Sequence, residues 1–560
     1  MPDPAALMLP GDAFDVDHQQ IIGRRVAGRS MALGFASQLT AGETLSLICF
    51  NQQERSRLQD LLTPNLHSGA SLRFLDFNTK SLTDIGAIHV PDPGLSRWQL
   101  LRSSCPANAF SLTGIIHTLS SSDVISELER LFLSPLHPWD ALVCTSTAGR
   151  DVVRAVFQSF QHYLESHFSC SITKRDGLQL PIIPLAVSDP LSETLGFHSD
   201  RSRLRCQSRM KLQIDQSSFV ILFVGRLSFH SKSHPLPLYR AVNRLSAENP
   251  DRPIVLLECG HIFNQPIESA YQELEHQFSH LSIVRLGGLE PATEQEKRDA
   301  FAAADVFVSL ADNLQETFGL SIIEAMAASL PVISTDWNGY KDLVDNGISG
   351  FRIPVSMVSD NGDQYDRIDS MYGLGLLPYD TMIGLRSMAT IVEYQPLYRA
   401  LNLCLNSSSL VQLMGENARK RWMQSFSWGP VYRQYIDLWT ELADRRLCLS
   451  EAYTSVSSFP TPTSKPFSHY PTQTIKPHSV VCGALAEDEL LPLSTLRLSM
   501  NSSFLQSLAD QHLESVITHL EHHHCIDFMA LTSLGISRSN AFALLAALIK
   551  LGVAILDKGQ

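Results

Sequence analysis

Residues 315–333 read QETFGLSIIEAMAASLPVI. The stretch sets two carboxylates, Glu316 and Glu324, around an apolar helix start and then runs through Pro331 into a strand. Carboxylates are expensive beside Phe318, Leu320, Ile322 and Ile323 unless water or a ligand solvates them. Were residues 316–324 helical throughout, the two would lie about 12 Å apart on different faces. A loop as far as Gly319 changes that geometry. The glutamates then bracket a first helical turn whose amides form a ready phosphate site. One could reach hydroxyls on one side of a bound diphosphate and the other those on its far side. The plain alternative is two solvated side chains, and the surrounding sequence decides between the two readings.

Upstream, the apolar run FVILFVG ends at Gly225, and Arg226 and Lys232 follow in GRLSFHSK. A glycine at a strand end allows close backbone approach, and two cations beyond it can neutralise a diphosphate. The runs FVILFVGRL, PIVLLECG, LSIVRLGG, DVFVSL and LPVISTD alternate with helical segments. An earlier alternation contains ALMLPG, TLSLICF, SLRFLDF, IGAIHV, FSLTGIIH, DALVCTS and LPIIPLAV, with helical patterns at 54–62, 124–133 and 150–168. Such β/α order predicts parallel sheets covered on both faces. A polar stretch at 188–209 with four arginines interrupts the pattern between them. The expected class is therefore α/β, two Rossmann-like doubly wound domains facing a cleft, with ligands outside the carboxyl ends of the strands.

At 560 residues the chain has room for two large domains and an extension. With 44% hydrophobic and 18% charged residues it reads as globular. A net charge of −13 argues against a general nucleic-acid or anionic-membrane binder. Ten cysteines are scattered singly without a CxxC pair, as expected of small apolar residues in a reducing compartment. The acidic N-terminus lacks a secretion-signal pattern, and the longest apolar run, residues 542–556, carries Lys550. The expectation is a cytoplasmic protein without an integral membrane segment, with peripheral membrane association left open.

GRLSFHSK followed by ETFGLSIIEAMAASLPVISTDWNGYKDLVDNGISGF resembles retaining glycosyltransferase family 4 (glycosyltransferase group 1) of the GT-B fold. The glutamate pair, the small-residue helix, the Pro-Val-Ile strand and a hairpin at 346–351 match in order, clearly over about 217–355. The segment MGENARKRWMQSFSWGPVYRQYIDLW resembles the family's helix that crosses back to the first domain.

The resemblance implies a nucleotide-diphosphate sugar as co-substrate, no cofactor and no metal, and an acceptor the sequence does not identify. It implies that Arg226 and Lys232 grip the donor phosphates, with Gly225 beside them. Glu316 would face the donor sugar, amides near Phe318, Gly319 and Leu320 the diphosphate or sugar, and Glu324 the ribose. His117, after an apolar strand, would lie near the transferred sugar. Gly23, Arg24 and Gly28 would form a first-domain loop facing the cleft. Two departures stand out: Lys232 lies six residues after Arg226, one more than common, and Asp342 stands where a glutamate is usual. The competing reading is a catalytically inactive GT-B protein that recognises a partner through its extension.

The expected domains are 1–205 on the acceptor side, 206–446 on the donor side, a Pro/Ser/Thr-rich linker at 447–480, and a small helical module at 481–560. Residues 453–479 hold five prolines and eleven serines or threonines. Within the module, two helices about Gly535 and a turn at Gly552 resemble a winged helix. Residues 450–560 carry six Lys/Arg against nine Asp/Glu, which argues against nucleic acid and for docking onto a protein partner or the catalytic domains. His519, His522, His523, His524 and Cys525 form a metal-like cluster, for which a solvated helix end is the expectation.

Overall fold

The apolar runs assemble into two parallel sheets. The computed structural model describes residues 4–14, 23–76, 82–173, 177–192, 201–358, 363–449, 469–470, 481–482, 492–509, 512–523 and 526–553. The first sheet comprises β1 (Ala6–Met8), β2 (Thr44–Ile48), β3 (Ser71–Leu75), β4 (Ala87–His89), β5 (Ser111–Ile115) and β6 (Ala141–Val143), in the order β3-β2-β1-β4-β5-β6. The second comprises β7 (Phe219–Leu227), β8 (Ile254–Ile262), β9 (Ile283–Gly288), β10 (Val306–Ser309), β11 (Val332–Thr335) and β12 (Gly350–Ile353), in the order β12-β11-β10-β7-β8-β9. Every pair within both sheets is parallel. This is the two-domain GT-B arrangement that the resemblance implies.

Period-two side-chain alternation builds a core on each face of each sheet. In β7, Val220, Leu222 and Val224 enter one core, and Phe219, Ile221 and Phe223 the other. Fully burying such a side chain contributes about 1.5–3 kcal/mol. The strand order reverses between β1 and β4 and again between β7 and β10. Chain leaving those neighbours diverges, which opens a crevice at each point.

The helices that matter for the site are α1 (Gly23–Ala36), α2 (Thr147–Phe168), α3 (Arg201–Lys211), α4 (Glu294–Ala303), α5 (Leu320–Ala327), α6 (Tyr379–Ser387) and α7 (Trp428–Leu449). Helix α7 crosses back: Trp428, Val431, Tyr435 and Trp439 lie in the first-domain core. Trp439 Nε1 donates to Thr113 Oγ1 at 3.2 Å. Both sheets belong to one compact unit, Met1–Pro460. No described helix is long and apolar enough to cross a membrane.

Several expectations are corrected. LPIIPLAV is not a regular strand: it meets β6 only through isolated bridges at Gln179 and Ile182, because Pro181 and Pro184 have no N–H to donate. The polar stretch at 188–209 ends in α3, whose Arg209 is fully buried. Residues 346–351 form a tight turn into β12, which joins β11 in parallel and not as a hairpin. Residues 447–449, expected in the linker, complete α7. Residues 450–468 lie outside the described residues.

The second unit, Thr461–Gln560, has its own core, which includes Val516, Ile517, Leu520, Leu544 and Leu548. Two of its helices, Phe528–Ser533 and Arg538–Lys550, flank the turn at Gly535. The second of them is apolar because Ala541, Leu544, Leu545 and Leu548 face that core. The His519 and His523 rings lie 4.4 Å apart, and among the described residues no group of three or more potential ligands forms a metal site. His524 and Cys525 lie outside the described residues.

Candidate active site

The loops that follow β7 and β10 meet past the carboxyl ends of these neighbouring strands. His234 N donates to Asp312 Oδ2 at 2.9 Å, and Asn313 Nδ2 donates to the Lys232 carbonyl at 2.8 Å. These bonds seat Lys232 so that its Nζ lies 2.6 Å from Glu316 Oε2. Gly225 lies between the Phe223 ring and the Lys232 chain. Arg226 is exposed, and its charge acts on both Lys232 and Glu316.

Burial disfavours both charges of the pair, yet each partner more than offsets it. Burial pushes the Lys232 ammonium down, but Glu316 holds it above its ordinary value. Burial pushes the Glu316 carboxyl up, but Lys232, with Arg226 in a lesser part, holds it below the usual carboxylate range. The carboxylate also accepts the Phe318 amide and, at 3.5 Å, the Tyr340 hydroxyl. Asn338 Nδ2 donates to the Glu316 carbonyl at 2.7 Å.

Gly319 makes the turn into α5 with φ +116, in the left-handed region where a Cβ is strained. A Cβ there would also lie 2.6 Å from the Tyr340 ring. The chain thus turns at the helix start, with Phe318 buried below and Leu320 opening α5. The Phe318 amide is engaged by Glu316 itself, so the amides left to the first turn begin at Gly319. Glu324 lies in the second turn, where its Oε1 is 2.8 Å from Lys297 Nζ on α4. Burial lowers the Lys297 ammonium, but Glu324 outweighs it and the net shift is upward.

On the first domain, His117 follows β5 and shares Nε2 with the Pro91 carbonyl at 3.1 Å. A carbonyl only accepts, so Nε2 carries the proton and Nδ1 is the acceptor nitrogen. Gly23, Arg24 and Gly28 are not in a loop: they occupy the first two turns of α1. Gly28 is needed for close approach, because a Cβ there would sit 2.1 Å from the Ala13 carbonyl oxygen. A cavity lies between the domains, with His117, Gly28 and Leu320 among its walls.

Three hydrogen bonds clasp the domains beside this site. Ser146 Oγ donates to the Thr317 carbonyl at 3.0 Å, and the Thr147 amide donates to Asp342 Oδ2 at 2.5 Å. Ser120 Oγ and the Tyr379 hydroxyl of α6 are 2.7 Å apart. Of these partners, the sequence reading singled out only Asp342, as a departure from a pattern. Lys297, Tyr340 and Asn338 were also missed, since their relation to Glu316 and Glu324 is purely tertiary.

Residues 218–367 match the family model described as Glycosyl transferases group 1. The chain is 32% identical over 171 residues to a D-inositol 3-phosphate glycosyltransferase of Corynebacterium urealyticum, which covers 30% of this chain and 39% of the relative. It is 31% identical over 147 residues to the enzyme of that name from Streptosporangium roseum, 26% of this chain and 32% of the relative. The chain thus spans well under half the length of the curated relatives it matches. Among solved structures, Anabaena Alr3699/HepE in complex with UDP aligns with a TM-score of 0.48 at 14% identity, over 78% of this chain and 100% of that one.

Proposed function

We propose that the protein transfers a sugar from a nucleoside-diphosphate sugar to an acceptor hydroxyl, with retention of configuration. The observation that carries this reading is the buried Lys232–Glu316 pair, set beside Arg226 and the first turn of α5 at the β7/β10 crevice. The relatives named as glycosyltransferases support it. In the reaction the bond from the sugar's anomeric carbon to the diphosphate breaks, and its electron pair leaves with the phosphate oxygen. The acceptor oxygen bonds to that carbon, and its proton leaves with the diphosphate.

Arg226, Lys232 and the amides from Gly319 onward stabilise the charge that grows on the leaving diphosphate. They do so without a metal in this reading. Glu316 receives the donor sugar's hydroxyls, Glu324 the ribose, and His117 the transferred sugar from the acceptor side. Cys49, Cys105, Cys144, Cys170, Cys206, Cys259, Cys404 and Cys448 are free, which fits the reducing cytoplasm. The acidic second unit is read as a module for a protein partner, which a binding assay with residues 461–560 deleted tests.

The direct test is release of nucleoside diphosphate from a panel of UDP-, GDP- and ADP-sugars with EDTA present. Turnover of at least one donor, and its loss in Glu316→Gln, is the expected outcome. If no donor is bound or consumed and Glu316→Gln changes nothing, the transferase reading is wrong. Activity abolished by EDTA and restored by a divalent cation would remove the metal-independent part.

A further inference from the structure

Resting on that reading, we infer that the acceptor carries its reactive hydroxyl on an apolar body, and that this body fills the cavity between the domains while a hydroxyl hydrogen-bonds His89. The cavity opens at the β1/β4 crevice of the first sheet. Leu9 follows β1, Pro91 follows β4, His117 follows β5, and Met31 of α1 and Val431 of α7 complete much of the wall. Leu320, the first residue of α5, lines it from the donor side, so the space is continuous with the start of the donor helix.

The wall is mostly apolar, with His89, His117, Trp428 and Tyr435 its polar-bearing side chains, and among the described residues no lysine, arginine, aspartate or glutamate borders it. An inositol phosphate would bring a phosphate dianion and several hydroxyls into such a space with no countercharge, at a desolvation cost nothing here offsets. The likeness to the inositol phosphate transferases covers less than half of their length, so their acceptor does not carry over. Apolar walls of this kind hold water poorly and favour an apolar occupant.

His89 supplies the polar handle. The Thr113 hydroxyl donates to the Ile88 carbonyl at 3.4 Å and accepts the Trp439 indole N–H at 3.2 Å. His89 Nδ1 lies 3.0 Å from the same oxygen, so that nitrogen is engaged and Nε2 is the free position of the ring. Nε2 is buried with no hydrogen-bond partner, on a side chain 2% exposed whose ring borders the cavity. Burial, with His117 adding to it, lowers the imidazole to about 3, so the ring stays neutral. An unsatisfied buried polar nitrogen is costly, and a hydroxyl on an otherwise apolar ligand, which can donate or accept, would satisfy it.

The test uses the full chain and a series of normal alcohols from methanol to 1-decanol, with D-inositol 3-phosphate and glucose as polar controls. Binding is read first, without donor, from saturable quenching of tryptophan fluorescence that disappears in Trp428→Phe. Transfer is then read with the donor that supports turnover. Expected is a gain of about two- to fourfold in affinity or kcat/KM per methylene until the cavity is full, with the polar controls unused. Ala27→Leu shortens the optimal chain, and Val431→Phe is the second filled variant should the first not fold. His89→Phe keeps the ring shape and lowers alcohol kcat/KM at least tenfold with donor KM unchanged. A flat chain-length profile, no saturable alcohol binding, or preference for the polar controls overturns the inference. Alcohol binding without any donor turnover would sustain this assignment while removing the transferase reading.

Discussion

Lys232 Nζ lies 2.6 Å from Glu316 Oε2, although 84 residues separate the two in the chain. Breaking a largely buried pair leaves an uncompensated charge, so either single truncation is expected to cost about 3 kcal/mol or more. The double variant Lys232→Met/Glu316→Leu should cost less than the sum of the singles, which a thermal-unfolding cycle measures. The lowered Glu316 carboxyl gives stability that is complete above the ordinary carboxylate range and is lost as pH falls through its depressed value. The raised Lys232 ammonium gives stability present at neutral pH and lost only as pH rises through its elevated value. In turnover, Glu316→Gln is expected to reduce kcat by about a hundredfold or more.

Glu324 and Lys297 form a second pair at 2.8 Å, one turn deeper in α5 than the Gly319 turn. If Glu324 receives the ribose, Glu324→Gln should raise donor KM about tenfold and leave kcat nearly unchanged, the mark of an interaction made equally in ground and transition states. A donor lacking ribose hydroxyls should lose this sensitivity. Equal falls in kcat and kcat/KM would place Glu324 at the reacting sugar instead.

Much of this fold was legible because its signals are local. The runs in β7, β8, β10 and β11 are apolar on both faces, and no helical period accounts for them. Glu316, Gly319 and Glu324 could be placed around a helix start because glycine and the apolar run mark the start itself. What could not be read is tertiary. Lys297 lies on an ordinary-looking charged helix, and only packing of α4 against the sheet brings it to Glu324. His89 is a single histidine in the short strand AIH, and only the packing around it leaves Nε2 buried without a partner. LPIIPLAV misled because composition suggested a strand while its two prolines prevented the ladder.

Arg209 illustrates a strength hidden in a stretch that looked like a polar interruption. It is fully buried and donates to the Ala303, Gln216 and Ser218 carbonyls at 2.9 Å and to Asp305 Oδ2 at 2.8 Å. Arg209→Met should destabilise the protein by about 3–5 kcal/mol, because Asp305 loses a buried partner and three carbonyls lose their donor. Thermal denaturation followed by circular dichroism would show it, and an unchanged midpoint would contradict the assignment.

Asp312 carries a charge that the fold penalises. It is 4% exposed, its Oδ1 has no partner, and burial pushes its carboxyl up to about 6. A carboxyl raised above its unfolded value contributes stability below that unfolded value and loses it as pH rises through the folded one. Asp312→Asn should therefore raise the melting temperature at pH 7.5 by about 2 °C or more, with the advantage shrinking toward pH 4.5. A difference that does not change with pH would show that the carboxylate is not the cause.

Asp342 turns a departure from the family pattern into a testable device. Its Oδ2 accepts the Thr147 amide, the first residue of α2, at 2.5 Å. A carboxylate at a helix N-terminus gains from the amide bond and from the helix dipole together. Because Thr147 belongs to the first domain and Asp342 to the second, the bond holds the cleft closed, with Ser146 and Thr317 beside it. The order of effect should be Asp above Asn above Ala: Asn keeps an acceptor and loses the charge, and Ala loses both. Asp342→Ala is expected to lower kcat/KM about tenfold, the equivalent of about 1.4 kcal/mol, and to enlarge the radius of gyration in solution scattering. If Asn and Ala behave alike the acceptor oxygen is irrelevant, and if neither widens the particle the bond does not govern closure.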